Sequence, residues 1–141
     1  MEQDKGQDPP SPLWILWGMM TGSVFFYGAV GYFLRKSGVI APSVELLSLL
    51  MPAFLLLAAV EAMALFLVFQ KFVVRKVTYS SYSILRWTLA ESIGIYGLIL
   101  FVLGGSRLIF GGFLGGSLLL NLVMMPSAED RDRFDSLKAN S

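Results

Sequence analysis

Four long apolar runs, separated by short polar or charged stretches, organise this 141-residue chain. They cover residues 13–34, 46–69, 84–103 and 108–125. A helix needs about 20 consecutive apolar residues to cross the hydrocarbon core of a bilayer, so each run is read as a transmembrane helix. The punctuation fits. The first run opens after Ser11–Pro12 and closes at Arg35–Lys36, with Trp14 and Trp17 near one end and Tyr32 near the other, where interfacial aromatics belong. Ser43 is an N-cap candidate for the second run, Glu45 suits its positive end, and Pro52 predicts a kink. Gly104–Gly105 ends the third run, and only Ser106 and Arg107 separate it from the fourth, which stops at Pro126. Those last two form an antiparallel hairpin. The expected fold is all-α: a polytopic bundle of four transmembrane helices spanning 13–126, flanked by an N-terminal tail (1–12) and a C-terminal tail (127–141).

Lysine and arginine orient the bundle. One side holds Lys5, Lys71, Arg75, Lys76, Arg86, Arg131, Arg133 and Lys138; the other holds Arg35, Lys36 and Arg107. Eight against three places both termini in the cytoplasm by the positive-inside rule. The N-terminal segment is polar, and the first apolar run is too long for a signal peptide, so it is read as a retained helix. The segment from Phe72 to Tyr82 mixes valines and aromatics with Arg75 and Lys76, as an interfacial stretch or a solvated linker would. The C-terminal tail is read as solvated, with a short surface helix around Phe134 and Leu137.

Composition narrows the function. Apolar residues make up 55% of the chain and charged residues 15%, with a mean hydropathy of +0.67, against about a quarter charged in soluble domains. A net charge of +1 provides no basic field for nucleic acid. Cysteine and histidine are both absent, which argues against disulfides, zinc, haem or any other metal or cofactor, and no nucleophile–base motif points to an enzyme. The expected partners are the lipid bilayer and other membrane subunits or a second copy, and the expected location is the bacterial inner membrane.

The candidate chemistry is intramembrane. Ionisable side chains near the bilayer centre cost roughly 2.5–3.5 kcal/mol on insertion scales, so they mark sites or ties. Glu61 and Glu91 are two such residues, each roughly 4–5 Å to the cytoplasmic side of its helix midpoint at about 1.5 Å per residue. Thr21, Ser23, Ser92, Ser117 and Asn121 fall in the same slab, predicting a polar layer across the bundle. Glu61–Phe66 and Glu91–Tyr96 also share one pattern: Glu, small, bulky, small, bulky, aromatic. Two carboxylates in a low dielectric either hold a proton or a cation, or are held by hydrogen bonds that tie helices together. Helix packing is expected at the small-residue spacings Gly18/Gly22, Gly111/Gly115 and Gly112/Gly116.

The stretch Leu89-Ala90-Glu91-Ser92-Ile93-Gly94-Ile95-Tyr96-Gly97-Leu98-Ile99 resembles the carboxylate helix of the rotary ATPase proteolipid, the c-ring subunit. That resemblance implies a proton- or sodium-binding role for Glu91. It covers about a dozen residues; the glycine repeat of that family's inner helix has no counterpart in Leu46–Phe69, and a further helix follows the carboxylate helix. Two functions therefore stand: a non-enzymatic subunit or accessory component packing in a membrane complex, and a proton- or cation-coupled transport component using Glu61 and Glu91.

Overall fold

The computed structural model describes residues 12–38 and 42–139, without the side chains of 68–72. Of the N-terminal tail expected at residues 1–12, all but Pro12, which opens α1, lies outside the described residues, as does the loop at 39–41. The described chain is all-α: α1 (Pro12–Ser37), α2 (Val44–Met63), α3 (Tyr79–Val102), α4 (Arg107–Val123) and α5 (Ala128–Ala139), with a π-helical continuation of α2 over Ala64–Val73. Three helical segments are long and apolar enough to cross a membrane, Pro12–Ser37, Val44–Leu67 and Tyr79–Val102. The fourth expected span is less clear-cut: α4, at 17 residues, is not one of these three, and a fourth is reached only if α4 and α5, bent by 77°, are taken together as one broken span.

Local chemistry sets the boundaries. Ser43 caps α2 by accepting from Leu46 N, Thr78 caps α3 by accepting from Ser81 N, and Ser106 caps α4 by accepting from Ile109 N. With this cap α3 begins at Tyr79, ahead of the apolar run that opens at Ile84, because Tyr79–Ser83 is polar yet helical. Pro52 lies within α2. At the far end of α3, Gly104 N–H donates to Phe101 O and Gly105 N–H to Leu100 O. This crossed pair of bonds closes the helix with Gly104 at φ +107°, a conformation open chiefly to glycine.

α3 is the hub, packing on α1, α2 and α4. Trp87, Ala90, Ile93, Gly94, Gly97 and Leu100 are buried along it. Its approach to α4 runs through Gly94 and Gly97: a Cβ on Gly97 would overlap Phe113 Cβ, and one on Gly94 would sit 3.2 Å from Ser117 Oγ. The glycines predicted from spacing do something else. A Cβ added at Gly18, Gly22, Gly111, Gly112, Gly115 or Gly116 would meet nothing within 4 Å, so these are not the intramolecular packing surface. Spacing identifies a flat face; it does not say which neighbour uses it.

The outer surface stays apolar. α2 has no buried residue, and Leu49, Leu56 and Met63 are at least 60% exposed, as are Phe25, Phe26 and Phe33 on α1. Contiguous exposed apolar faces are uncommon on water-soluble monomers.

The C-terminal segment is a docked helix rather than a solvated tail. Ser127 Oγ accepts from Asp130 N, and α5 turns 77° away from α4. Phe134 is buried against Val74 and Tyr82, so the stretch before α3 is partly core as well. Arg86 binds Asp130 at 2.9 Å, and Tyr79 donates to the same carboxylate at 3.0 Å.

Candidate functional site

The two glutamates of the apolar helices sit in matching clamps. On α1, Ser23 and Tyr27 are four residues apart and therefore share a face. Both donate to Glu91 Oε1 on α3, each at 2.5 Å. On α3, Ser92 and Tyr96 have the same spacing and hold Glu61 of α2: Tyr96 OH donates to Oε1 at 2.6 Å and Ser92 Oγ to Oε2 at 2.7 Å. Each clamp is a Ser-x-x-x-Tyr pair closing on a carboxylate from the neighbouring helix.

Adjacency on α3 links the clamps. Glu91 and Ser92 are consecutive, so about 100° of helix rotation separates them. Glu91 faces α1 as an acceptor, while Ser92 faces α2 as a donor. The same adjacency brings the clamps close along α3: Glu61 meets Ser92, the residue that follows Glu91. Phe54 of α2 stacks on Tyr96 with ring centroids 4.9 Å apart, which orients the phenol for Glu61. Ser23 and Ser92 hydroxyls also lie 2.6 and 2.7 Å from the carbonyls of Met20 and Leu89, alternative acceptors within their own helices.

The remaining predicted polar residues form the back of the layer. Ser117 and Asn121 of α4 are fully buried, and Thr21 of α1 is 9% exposed. Trp17 Nε1 donates to Asn121 O at 2.9 Å, and Asn121 Nδ2 donates to Ser117 O at 3.1 Å. With Trp17 opposite Asn121, and Gly28 opposite Leu114, Thr21 falls at the level of residues 117–121. Thr21 Oγ1, Ser117 Oγ and Asn121 Oδ1 have no hydrogen-bond partner among the described residues. Arg86, the nearest candidate counter-ion in the sequence of α3, pairs with Asp130 instead.

Sequence reasoning missed Tyr27 and Tyr96. Their signal was present: a serine and a tyrosine at i and i+4, once on each helix that faces a glutamate. A phenol supplies one strong O–H donor on a long apolar body, suited to reaching a carboxylate across a membrane helix contact. Among the described residues no cluster of three acidic side chains could hold a metal ion.

In comparisons with known proteins, no family model, curated protein or solved structure matches the chain.

Proposed function

We propose that this chain is a non-enzymatic integral membrane protein of four spans with both termini cytoplasmic, serving as a subunit or accessory component of a membrane complex. The observation that carries this reading is the outer face of α4. Gly111, Gly112 and Gly115 are exposed, and among the described residues nothing lies over them. Small residues on membrane helices allow close backbone approach by another helix. Beside them runs an apolar groove of about 330 Å³ between α2 (Met51, Leu55, Ala58) and α4 (Ile109, Gly112). In this reading a helix of another subunit, or of a second copy, covers that face. The glutamates are internal ties: Glu91 binds α3 to α1, and Glu61 binds α2 to α3.

The test is a photo-crosslinking amino acid placed at Gly112 in native membranes. Protein adducts of defined mass are expected. Adducts with lipid alone would remove the subunit reading.

A second reading, proton or cation coupling through Glu61 and Glu91, is favoured by the clamps themselves. Two hydroxyl donors around a carboxylate also make a preorganised ion site, and the local likeness of residues 89–99 to the rotary ATPase proteolipid points the same way. Reconstituted protein separates the two. Proton or sodium flux abolished by Glu91→Gln in a folded protein supports coupling; flux that both glutamine variants leave unchanged removes it.

A further inference from the structure

The end of the bundle away from α5 carries a cleft of about 270 Å³, walled by Tyr32, Arg35, Lys36, Phe101 and Arg107. These come from the last turns of α1 and α3 and the first turn of α4. Three cations and no acid line it. By the lysine and arginine count they are also all of the basic residues on that side of the proposed topology, drawn from two separate loops into one place. The positive-inside rule disfavours cations there, so their gathering asks for a cause.

Helix electrostatics explain only part of it. Arg35 and Lys36 close α1, where positive charge suits the negative end of the helix. Arg107 opens α4, at a positive helix end where a cation is unfavourable. Arg35 is held in position: it donates to Gly105 O at 2.7 Å, and its guanidinium lies 4.5 Å from the Phe101 ring centroid. Lys36 and Arg107 are exposed and make no hydrogen bond or ion pair among the described residues. Two uncommitted cations, one anchored guanidinium and a positive helix end thus converge on one cleft with aromatic walls.

We propose that this cleft binds the phosphate of an anionic phospholipid headgroup. Lys36 and Arg107 supply charge-assisted donors, together with the guanidinium N–H groups of Arg35 not used on Gly105. Tyr32 and Phe101 line the apolar side, from which acyl chains leave toward the exposed flank of α1. Basic pockets between membrane helices hold anionic headgroups at the cytoplasmic face, and the same charge chemistry serves here at the opposite end of the bundle. The site rests on the membrane-spanning reading given above, but not on the subunit reading.

The test is binding of dioctanoyl phosphatidylglycerol to the purified protein in a neutral detergent, with dioctanoyl phosphatidylcholine and inorganic phosphate as parallel probes. Saturable binding of phosphatidylglycerol is expected, weakened about fivefold by each of Lys36→Gln and Arg107→Gln, and unchanged by Arg75→Gln. Lys36→Arg should retain it. Helical circular dichroism verifies folding of each variant, and Lys36→Gln carries the test should Arg107→Gln fold poorly. Displacement of the lipid by millimolar inorganic phosphate, itself weakened by both variants, overturns the headgroup assignment in favour of a free anion. No saturable binding, equal binding of phosphatidylcholine, or equal loss in Arg75→Gln overturns the proposal outright.

Discussion

Tyr27 of α1 donates its hydroxyl to Glu91 Oε1 of α3 at 2.5 Å, and Tyr96 of α3 makes the same bond to Glu61 of α2 at 2.6 Å. The two contacts join three helices through one repeated device, a tyrosine and a serine one turn apart. In a bilayer the hydrophobic effect does not drive helices together, so packing and interhelical hydrogen bonds carry association. Such bonds average about 0.6 kcal/mol in membrane helices and reach about 1.7 kcal/mol.

The clamps differ in how they load the carboxylate, and that predicts unequal effects of amide replacement. Both donors to Glu91 land on one oxygen, so Glu91→Gln keeps both bonds by presenting its carbonyl oxygen. The donors to Glu61 land on different oxygens, so Glu61→Gln loses one, although Ser92 can turn to Leu89 O. Thermal melting in detergent should show Glu91→Gln near wild type and Glu61→Gln lower by up to about 1 kcal/mol. Leucine at either position should cost about 1–3 kcal/mol, from two lost bonds.

Glycine effects should follow the observed contacts and not the sequence spacing. Gly97 packs against Phe113, so Gly97→Leu forces α3 and α4 apart and is expected to cost about 3 kcal/mol or more, by analogy with overpacked cores. Gly112→Ala meets open space and should leave the melting temperature of the isolated protein unchanged or slightly raised, because alanine is the better helix former.

Docking of α5 centres on Phe134, with Leu137 beside it, on the Asp130 carboxylate shared by Arg86 and Tyr79, and on Lys138 Nζ donating to Val77 O. Phe134→Ala removes the buried anchor, and the ion pair alone does not replace it. Limited trypsin digestion should then cut at Arg131 and Arg133 about tenfold faster than in wild type, as expected when a local opening equilibrium shifts. An unchanged digestion rate would mean that α5 is held by other contacts.

Periodicity and charge made the apolar helices and their polar layer legible. The layer was visible because Glu61, Glu91, Ser23, Ser92, Ser117 and Asn121 are conspicuous in apolar helices, and helix rise converts their positions into depth. What depth could not give is azimuth. Tyr27 and Tyr96 went unassigned because a tyrosine in an apolar run is also a good interfacial or packing residue, and only the facing helix decides which. The glycine stripes show the same limit: spacing marks a flat face without naming its neighbour, and within the chain Gly94 and Gly97 meet α4, while the more regular stripe on α4 itself faces outward. The docking of α5 was hidden because Phe134 is a single aromatic in a charged segment, and its cavity is built by Val74 and Tyr82 from far away in sequence.

The most direct test of the glutamate ties is a double-mutant cycle between Glu91 and Tyr27, using Glu91→Leu, Tyr27→Phe and the pair, read by reversible unfolding in detergent or bicelles. A favourable coupling of about 0.5–1.7 kcal/mol is predicted, within the range of interhelical hydrogen bonds in membranes, with α-helical content retained in all three variants. Strictly additive costs, with no coupling between the two positions, would contradict a tie between α1 and α3 through these side chains.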